Sequence, residues 1–205
     1  MKTARLHKTG EGLKIEQVPI PEIKAREVLV EVKASGICGS DLHYRNGISP
    51  VGKLPIILGH EISGVIAEKG GEVKHLNVGD RVCVHYLISC GNCLFCRRGL
   101  ENLCQKALMI GKHLDGGFAQ YVKVPAANII KLPSNVPFEQ GAIIGCAVST
   151  AFHALRRSRL REGESVLIYG VGGIGAHAIQ LAARIYGASS IIAVDVAEDR
   201  LKIAR

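Results

Sequence analysis

One stretch decides the fold of this chain: residues 165–195, which read SVLIYGVGGIGAHAIQLAARIYGASSIIAVD. It opens with a continuously apolar run, SVLIYG, which is typical of a buried strand in a parallel sheet. A glycine-rich turn follows, then a helical stretch that we expect to end at Gly187, and then a second strand, SIIAVD. The order strand, helix, strand predicts a β-α-β unit, and AEDRLKIAR predicts the start of a second helix.

The glycine-rich turn has the spacing G-x-G-x-x-G between a strand and a helix, which is the context that a dinucleotide-binding site requires. Its candidate cofactor residues are Gly170, Gly172, Gly173, Ile174 and Gly175. Glycine lets the backbone approach a pyrophosphate, and the N-terminus of the helix offers free N–H groups to that anion. Asp195 ends the second strand, where a carboxylate favours NAD over NADP. The alternative role of Asp195 is to cap the helix that follows.

The first part of the chain has a different pattern. EVLVEVKAS (27–35) alternates, and ISGVIAEKG, DRVCVHY and GGFAQYVKVP are further short strands between turn residues, which predicts a compact barrel or sandwich. After Pro133 the pattern becomes helical, and from Glu164 it becomes β-α-β. We expect domains at residues 1–158 and 159–205. A dinucleotide-binding fold has about six strands, and two are present here, so we expect a fragment, a split gene product or a truncated form.

Four cysteines lie at spacing C-x2-C-x2-C-x7-C in SCGNCLFCRRGLENLC: Cys90, Cys93, Cys96 and Cys104. Four thiolates this close in sequence can surround one tetrahedral zinc ion, and a site filled by four sulfurs leaves no position for substrate. The predicted role is therefore structural. Disulfides and free thiols are the simpler alternatives, and an iron–sulfur cluster is a further rival, although the seven-residue gap and the absence of a following proline count against it.

A second set of zinc-type residues lies outside this lobe: Cys38, the pair His60–Glu61, and Cys146. Each of them alone has an ordinary structural explanation, because single cysteines are often small buried hydrophobes. Cys83 we assign to that ordinary class.

These segments resemble the zinc-containing medium-chain alcohol dehydrogenase family. GHEISGVIAEKGGEV (59–73) fits the pattern G-H-E-x2-G-x5-G-x2-V, and CGSDLH, GDRV, GCAVST and GVGGIG fall in the family's order. The resemblance covers essentially all 205 residues. It implies a two-domain protein of the α+β and α/β classes, in which a GroES-like β-barrel catalytic domain is followed by the start of a Rossmann fold.

The resemblance also implies roles for single residues. Cys38, His60 and Cys146 match the catalytic zinc ligands, and Glu61 matches a neighbour that can approach the metal. Asp41 matches the carboxylate that orients the histidine. Ser40 and His43 match the proton relay, Thr150 matches a residue near the nicotinamide, and Arg200 matches a basic residue beside the adenosine ribose. The expected cofactors are two Zn²⁺ ions, one catalytic and one structural, and NAD.

The expected function is reversible hydride transfer between an alcohol and NAD. The substrate branch stays open, since Gly39 resembles the polyol and threonine dehydrogenases whereas Cys146 resembles the alcohol dehydrogenases. Two rivals remain: a non-catalytic, zinc-stabilised interaction protein, which needs one zinc, and a zinc-free quinone reductase, against which the three ligand residues argue.

The composition of the chain argues against nucleic acid and membranes as its partners. The formal charge is +8, but the densest basic group, RRSRLR (156–161), has no interleaved aromatic residues, so we expect no nucleic-acid partner. No apolar run is long enough to span a bilayer, and the N-terminus lacks the apolar stretch of a signal peptide. With seven cysteines expected as ligands or free thiols, these features predict a cytoplasmic protein. The family resemblance implies that its partner is a small alcohol or carbonyl compound. We expect the full-length form to be a homo-oligomer.

Overall fold

Strand β3 is the centre of the first half of the chain. A computed structural model describes residues 1–204, and in it β3 runs over Glu27–Gly36 between β5 (Glu61–Lys69) and β9 (Tyr121–Pro125), antiparallel to both. β6 (Arg81–Val84) and β10 (Ile129–Lys131) extend the sheet, whose order is β10-β6-β5-β3-β9. The four strand segments expected from the sequence are therefore present.

A smaller antiparallel sheet packs the N-terminal residues. β1 (Lys2–Leu6) lies between β2 (Lys14–Gln17) and β4 (Ile56–Ile57). A short pair follows β6, formed by β7 (Leu87–Ile88) and β8 (Leu108–Met109). The helices of this half are α1 (Gly39–Arg45), α2 (Leu94–Arg97) and α3 (Phe138–Ile143), with 3-10 turns at Glu101–Leu103 and Ala126–Asn128.

The core of this half is made of β-branched side chains on β3, β5, β6 and β9. Val28, Val30, Val82, Val84 and Val124 are completely buried. Branched side chains suit the pleated surface of a sheet, and their burial is the main favourable term in folding. Cys83 lies in the same sheet and is 2% exposed, in agreement with its assignment as a small buried residue.

The irregularity of β3 matters for the site. Its pairing with β5 shifts register between Leu29 and Val30 and again between Val32 and Ala34. Such bulges bend and twist a strand. Beyond the second shift, β3 continues to Gly36, which pairs with Glu61, and the chain turns directly into α1. The C-terminal end of β3 and the start of β5 therefore lie side by side.

The residues from Cys146 onward form a second compact unit, distinct from Met1–Gly145. A π-helical segment, Ile144–Val148, leads into α4 (Ser149–Ser158). β11 (Ser165–Tyr169), α5 (Gly173–Arg184), β12 (Ser190–Val194) and α6 (Glu198–Ile203) follow, and β11 and β12 are parallel. The expected order of a β-rich domain followed by a β-α-β unit is thus confirmed.

The core of the second unit explains the difference between its start and our expected boundary at 158/159. Ala151 and Leu155 of α4 pack in one cluster with Ile168 of β11 and with Ala178 and Ala182 of α5. Helix α4 thus belongs by packing to the second unit, while the division at 158/159 remains a prediction from the sequence.

Two details of the second unit differ from expectation. Helix α5 ends at Arg184, with Ile185 as its C-cap, rather than at Gly187; Gly187 instead adopts a positive φ of 62° in the turn beyond. The apolar run of β11 is buried only in part: Ile168 faces the core, whereas Leu167 is 50% and Tyr169 77% exposed. Helices α4 and α5 cover one face of this two-stranded sheet, so the side chains on its other face are exposed to solvent.

Within residues 1–204, no helix has both the length and the apolar composition needed to cross a lipid bilayer.

Candidate metal and cofactor sites

Asp41 connects two of the residues that are expected to bind a catalytic metal, Cys38 and His60. It lies in the first turn of α1, where its Oδ2 accepts the backbone N–H of Cys38 at 2.9 Å. Its Oδ1 accepts the backbone N–H of Gly59 at 3.3 Å and lies 3.3 Å from Nδ1 of His60. One buried carboxylate therefore fixes the turn that carries Cys38 and the ring of His60.

The imidazole of His60 is held from more than one side. Its side chain is 3% exposed, and Oγ of Ser40 lies 3.5 Å from Nε2. Burial lowers the pKa of His60, but contacts with Asp41 and Cys38 outweigh burial and raise that pKa to about 9. A carboxylate on one ring nitrogen fixes the orientation of the ring and makes the other nitrogen a better ligand.

Tyr86 is a part of this site that the sequence interpretation missed. Its ring meets that of His60 edge to face, with the centroids 5.1 Å apart, and the ring of His85 stacks on its other side at 5.7 Å. Nδ2 of Asn128 donates to the backbone carbonyls of His85 and Leu87 at 2.8 Å each, which fixes the segment. In the sequence, Tyr86 is only the last residue of the predicted strand DRVCVHY, and nothing there marks it as part of a site.

Glycines make room for the site. Gly59 has a φ of +89°, and a Cβ there would enter the ring of Phe118, so the residue before His60 must be glycine. A Cβ at Gly36 would overlap the carboxylate Oε2 of Glu61, which is 4% exposed. The ligand atoms of Cys38, His60 and Glu61 lie within 4.8 Å of one another.

Cys146 lies on the π-helical segment and directly follows Gly145, the last residue of the first unit. Its side chain is buried, with 8% of its surface exposed, and its carbonyl accepts the hydroxyl of Ser149 at 3.1 Å. The two expected relay residues both lie on α1, where Ser40 is half-buried and His43 is exposed.

The four-cysteine lobe is brought together by local structure. Cys93 caps α2, Cys96 lies within it, and the 3-10 turn at 101–103 leads to Cys104. Sγ of Cys96 is 3.4 Å from that of Cys93 and 3.9 Å from that of Cys90, and the N–H of Cys90 donates to Sγ of Cys104 at 3.3 Å. The four sulfurs all lie within 4.8 Å of one another and form no disulfide.

The thiols of this lobe differ in acidity. Backbone N–H groups of Asn92 and Cys93 lower the pKa of Cys90 to about 6. Burial, together with the neighbouring Cys93, raises the pKa of Cys96 to about 11. The thiol of Cys96 would therefore keep its proton near neutral pH, and a bound cation would displace that proton.

The glycine-rich turn and Asp195 are joined by direct contacts in the second unit. Gly170 has a φ of +87°, and a Cβ at Gly175 would overlap the carbonyl of Gly170. The backbone N–H of Val171 donates to Oδ2 of Asp195 at 2.7 Å, and that of Ala197 donates to Oδ1 at 2.8 Å. These backbone hydrogen bonds lower the pKa of Asp195, so the carboxylate holds the turn as well as the start of α6.

The other expected cofactor residues are more open to solvent. Nη1 of Arg200 lies 3.6 Å from Oδ2 of Asp195, and its side chain is 57% exposed against 4% for the aspartate. Gly172 is the N-cap of α5, and Gly173, Ile174 and Thr150 are exposed. The structure places Asp195 at the turn; what these residues bind stays a prediction.

Comparison with known proteins adds an independent observation. Residues 24–134, more than half of the chain, match the alcohol dehydrogenase GroES-like domain. An alcohol dehydrogenase of Geobacillus stearothermophilus is 42% identical over 207 residues, covering 100% of this chain and 61% of the relative. A sorbitol dehydrogenase of Bacillus subtilis is 41% identical over 210 residues, covering 100% of this chain and 58% of the relative.

Comparison with solved structures shows the same similarity. The crystal structure of a short chain alcohol dehydrogenase (rspB) from E. coli CFT073, complexed with the cofactor NADH, superimposes with a TM-score of 0.92 at 36% identity, over 99% of this chain and 59% of that chain. This chain thus spans about three fifths of the length of the proteins that it matches. With the domain match over residues 24–134 and the fold shared with these dehydrogenases, the chain belongs to the alcohol dehydrogenase family with a GroES-like domain.

Proposed function

We propose that the protein is a zinc-dependent oxidoreductase that transfers a hydride between an alcohol and NAD. The observation that carries this proposal is the buried imidazole of His60, held by Asp41 and placed beside the thiol of Cys38 and the carboxylate of Glu61. Families that share a fold differ in chemistry, so the donor set and not the fold is the reason for the assignment.

The residues present fit a zinc ion. Thiolate sulfur and imidazole nitrogen are the ligands that zinc prefers, and a catalytic site has three protein ligands and one open position. We propose Cys38, His60 and Cys146 as these ligands, with Glu61 beside them. The burial of the Cys146 thiol supports its inclusion. When bound, zinc supplies a Lewis acid that lowers the pKa of a substrate hydroxyl.

The chain's own residues orient the site and move the proton. Asp41 keeps the ring of His60 in one tautomer and one orientation. The hydroxyl of Ser40, close to Nε2 of His60, would accept the proton that leaves the substrate alcohol as it releases its own proton, and the imidazole of the exposed His43 on the same helix would take up that released proton and pass it to solvent. Ser40 and His43 thus act as a general-base pair.

The lobe of Cys90, Cys93, Cys96 and Cys104 is proposed to hold a second, structural zinc. Four sulfurs within 4.8 Å fit a tetrahedral site with no open position. The lobe contains little apolar core of its own, so the energy of metal binding would become folding energy. The protein would then contain two zinc ions per chain.

The dinucleotide is proposed to bind at residues 170–175, with its pyrophosphate at the N-terminus of α5. Asp195 would accept hydrogen bonds from the adenosine ribose and repel a 2′-phosphate, which favours NAD. Arg200 would contact the same ribose, Gly173 and Ile174 the pyrophosphate, and Thr150 the nicotinamide. The substrate is a small alcohol or a polyol, and Gly39 and Cys146 point to different branches.

An activity measurement tests this proposal. NADH absorbance is followed during oxidation of ethanol, butanol, sorbitol and threonine, with NAD and with NADP. We expect turnover of at least one alcohol, faster with NAD, and its loss in His60→Ala. Retained turnover in His60→Ala, or no turnover of any of these compounds by a zinc-loaded protein, would contradict the assignment.

A second candidate is a non-catalytic interaction protein stabilised by the lobe zinc. The exposed apolar residues of β11 and β12 favour it, because open apolar surface marks contact sites. It predicts one zinc per chain and no NAD binding. For the enzyme we also propose a cytoplasmic location, which the grouping of the four lobe thiols without a disulfide supports, and a homo-oligomeric form.

A further inference from the structure

A cavity of about 440 Å³ lies in the first unit, and none of its lining residues belongs to the metal or cofactor sites. Its wall is formed by β9, by the segment that follows β2, and by the turn at 114–116. Its volume falls in the range of about 300–1,000 Å³ that is usual for small-molecule sites. The cavity is therefore large enough to take a ligand of its own.

The interior of the cavity is apolar. Ile57 and Val122 are 4% and 3% exposed and form part of the lining, together with Val18, Leu114 and Tyr121. Pro19, Pro21 and Pro125 also line it. Proline fixes the backbone and offers no N–H group, so this part of the wall is stiff and poor in hydrogen-bond donors. Such a wall suits an aliphatic or aromatic body.

The charged lining residues are mostly positive. There are four cations, Arg5, Lys24, Lys53 and Lys123, and two carboxylates, Glu27 and Asp115. Both carboxylates are already engaged. Oδ2 of Asp115 pairs with Lys53 at 2.8 Å, while its Oδ1 accepts the N–H of Ile57 at 3.0 Å.

The carboxylate of Glu27 also has both a backbone hydrogen bond and a lysine partner. Its Oε2 accepts the backbone N–H of Lys24 at 2.8 Å and lies 4.0 Å from Nζ of Lys123. The ammonium of Lys24 itself has no ion-pair or hydrogen-bond partner within residues 1–204. Nζ of Lys123 also donates to the backbone carbonyl of Glu22 at 3.0 Å. The lining thus has a surplus of positive charge, carried by Lys24 and by Lys123, whose distance to its carboxylate partner is long.

We propose that this cavity binds a small organic anion with an apolar body, such as a medium-chain carboxylate, whose head meets Lys24 and Lys123 while its tail lies over Ile57 and Val122. Charge-assisted hydrogen bonds to lysine are about twice as strong as neutral ones, and the buried apolar tail adds hydrophobic energy. The site is independent of the metal centre, so it stands whether or not the protein oxidises alcohols.

The test is an NMR titration of the ¹⁵N-labelled, zinc-loaded protein with sodium octanoate. Octylammonium has the same tail with the opposite charge, and acetate has the same head without the tail. We expect octanoate to bind at least about tenfold more tightly than octylammonium, the equivalent of one charge-assisted contact. It should also bind at least about tenfold more tightly than acetate, which lacks the apolar tail. Its shift changes should concentrate on residues 18–27 and 121–125.

Substitutions of the two lysines in the cavity lining test where octanoate binds. Lys24→Gln combined with Lys123→Gln should weaken octanoate binding about tenfold, whereas Lys106→Gln, an exposed lysine outside the lining, should not change it. Binding should persist in Cys38→Ser, which separates this cavity from carboxylate binding at a metal. Absence of octanoate binding, equal binding of octylammonium, indifference to the lysine changes, or loss of binding in Cys38→Ser would each overturn the proposal.

Discussion

Nδ1 of His60 lies 3.3 Å from Oδ1 of Asp41, and both side chains are almost fully buried. The same carboxylate accepts the backbone N–H of Cys38. Since a single aspartate positions both the thiol turn and the imidazole, the geometry of the proposed metal site depends on a residue that does not bind the metal.

Asp41→Asn should weaken metal binding at His60 without unfolding the chain. The amide keeps the size of the carboxylate but loses one acceptor and the negative charge, and removing such a partner lowers metal affinity by about 10- to 100-fold. A chelator titration with zinc measures the loss. Asp199→Asn, at a side chain that is 94% exposed, is the control and should retain full affinity. Equal affinity in both variants would contradict the orienting role.

Cys96→Ser should destabilise the lobe. Removing one of four thiolates weakens zinc binding, and with it the folding energy that the metal contributes. We expect a lower melting temperature and faster proteolysis within residues 90–104, measured by calorimetry and by mass spectrometry of the fragments. Leu94→Ala, at an exposed side chain of the same lobe, should leave the proteolysis pattern unchanged. An unaltered pattern in Cys96→Ser would argue against a structural metal.

Arg159→Gly should stabilise the second unit. Arg159 follows α4 with a φ of +62°, a left-handed conformation that costs a non-glycine residue roughly 1–2 kcal/mol. Glycine takes that conformation without strain and is the preferred residue after a helix. Urea unfolding should show a gain of about 0.5–1 kcal/mol, the part that remains after the greater freedom of glycine in the unfolded chain. Arg157→Gly, inside α4, should instead cost about 1 kcal/mol.

Asp195 should make the second unit sensitive to acid. Its pKa in the folded protein lies below the ordinary value of 3.8, because the N–H groups of Ala197 and Val171 stabilise the carboxylate. A lowered pKa contributes stability that is fully present above 3.8 and is lost as the pH falls through the folded value. Hydrogen exchange of the amides of Val171 and Ala197, followed from about pH 5 to about pH 2, covers the range below 3.8 in which this stability is lost.

Asp195→Asn should remove that acid-dependent step. It should also weaken NAD binding, since the turn that receives the pyrophosphate would lose its tether. Asp199→Asn again serves as the control. A pH profile of hydrogen exchange that is identical in Asp195→Asn and in the unmodified protein would contradict the role of the carboxylate.

The sequence predicted the local parts of this structure well. Alternation in residues 27–35 and the glycine-rich turn depend on neighbours in sequence, and both elements appear where expected. The cysteine lobe is also local, because a short helix and a 3-10 turn bring the four thiols together. By contrast, Cys38 and His60 lie on different elements, and only the resemblance to a family could join them.

Contacts between distant segments were not predictable. Tyr86 reaches His60 because β6 lies beside β5 in the sheet, which no spacing in the sequence indicates. The exposure of Leu167 and Tyr169 follows from which faces of β11 the helices cover, and the pattern of the strand alone indicates burial on both faces. The end of α5 was misplaced because Gly187 marks the turn and not the last helical residue.

The most direct test of the central claim is a zinc count by elemental analysis on the protein and on two matched cysteine variants. We expect two zinc ions per chain, about one in Cys146→Ser, and two in Cys83→Ser, whose thiol is buried in β6 and belongs to neither proposed ligand set. One zinc in the unmodified protein, or two zinc ions retained in Cys146→Ser, would contradict that claim.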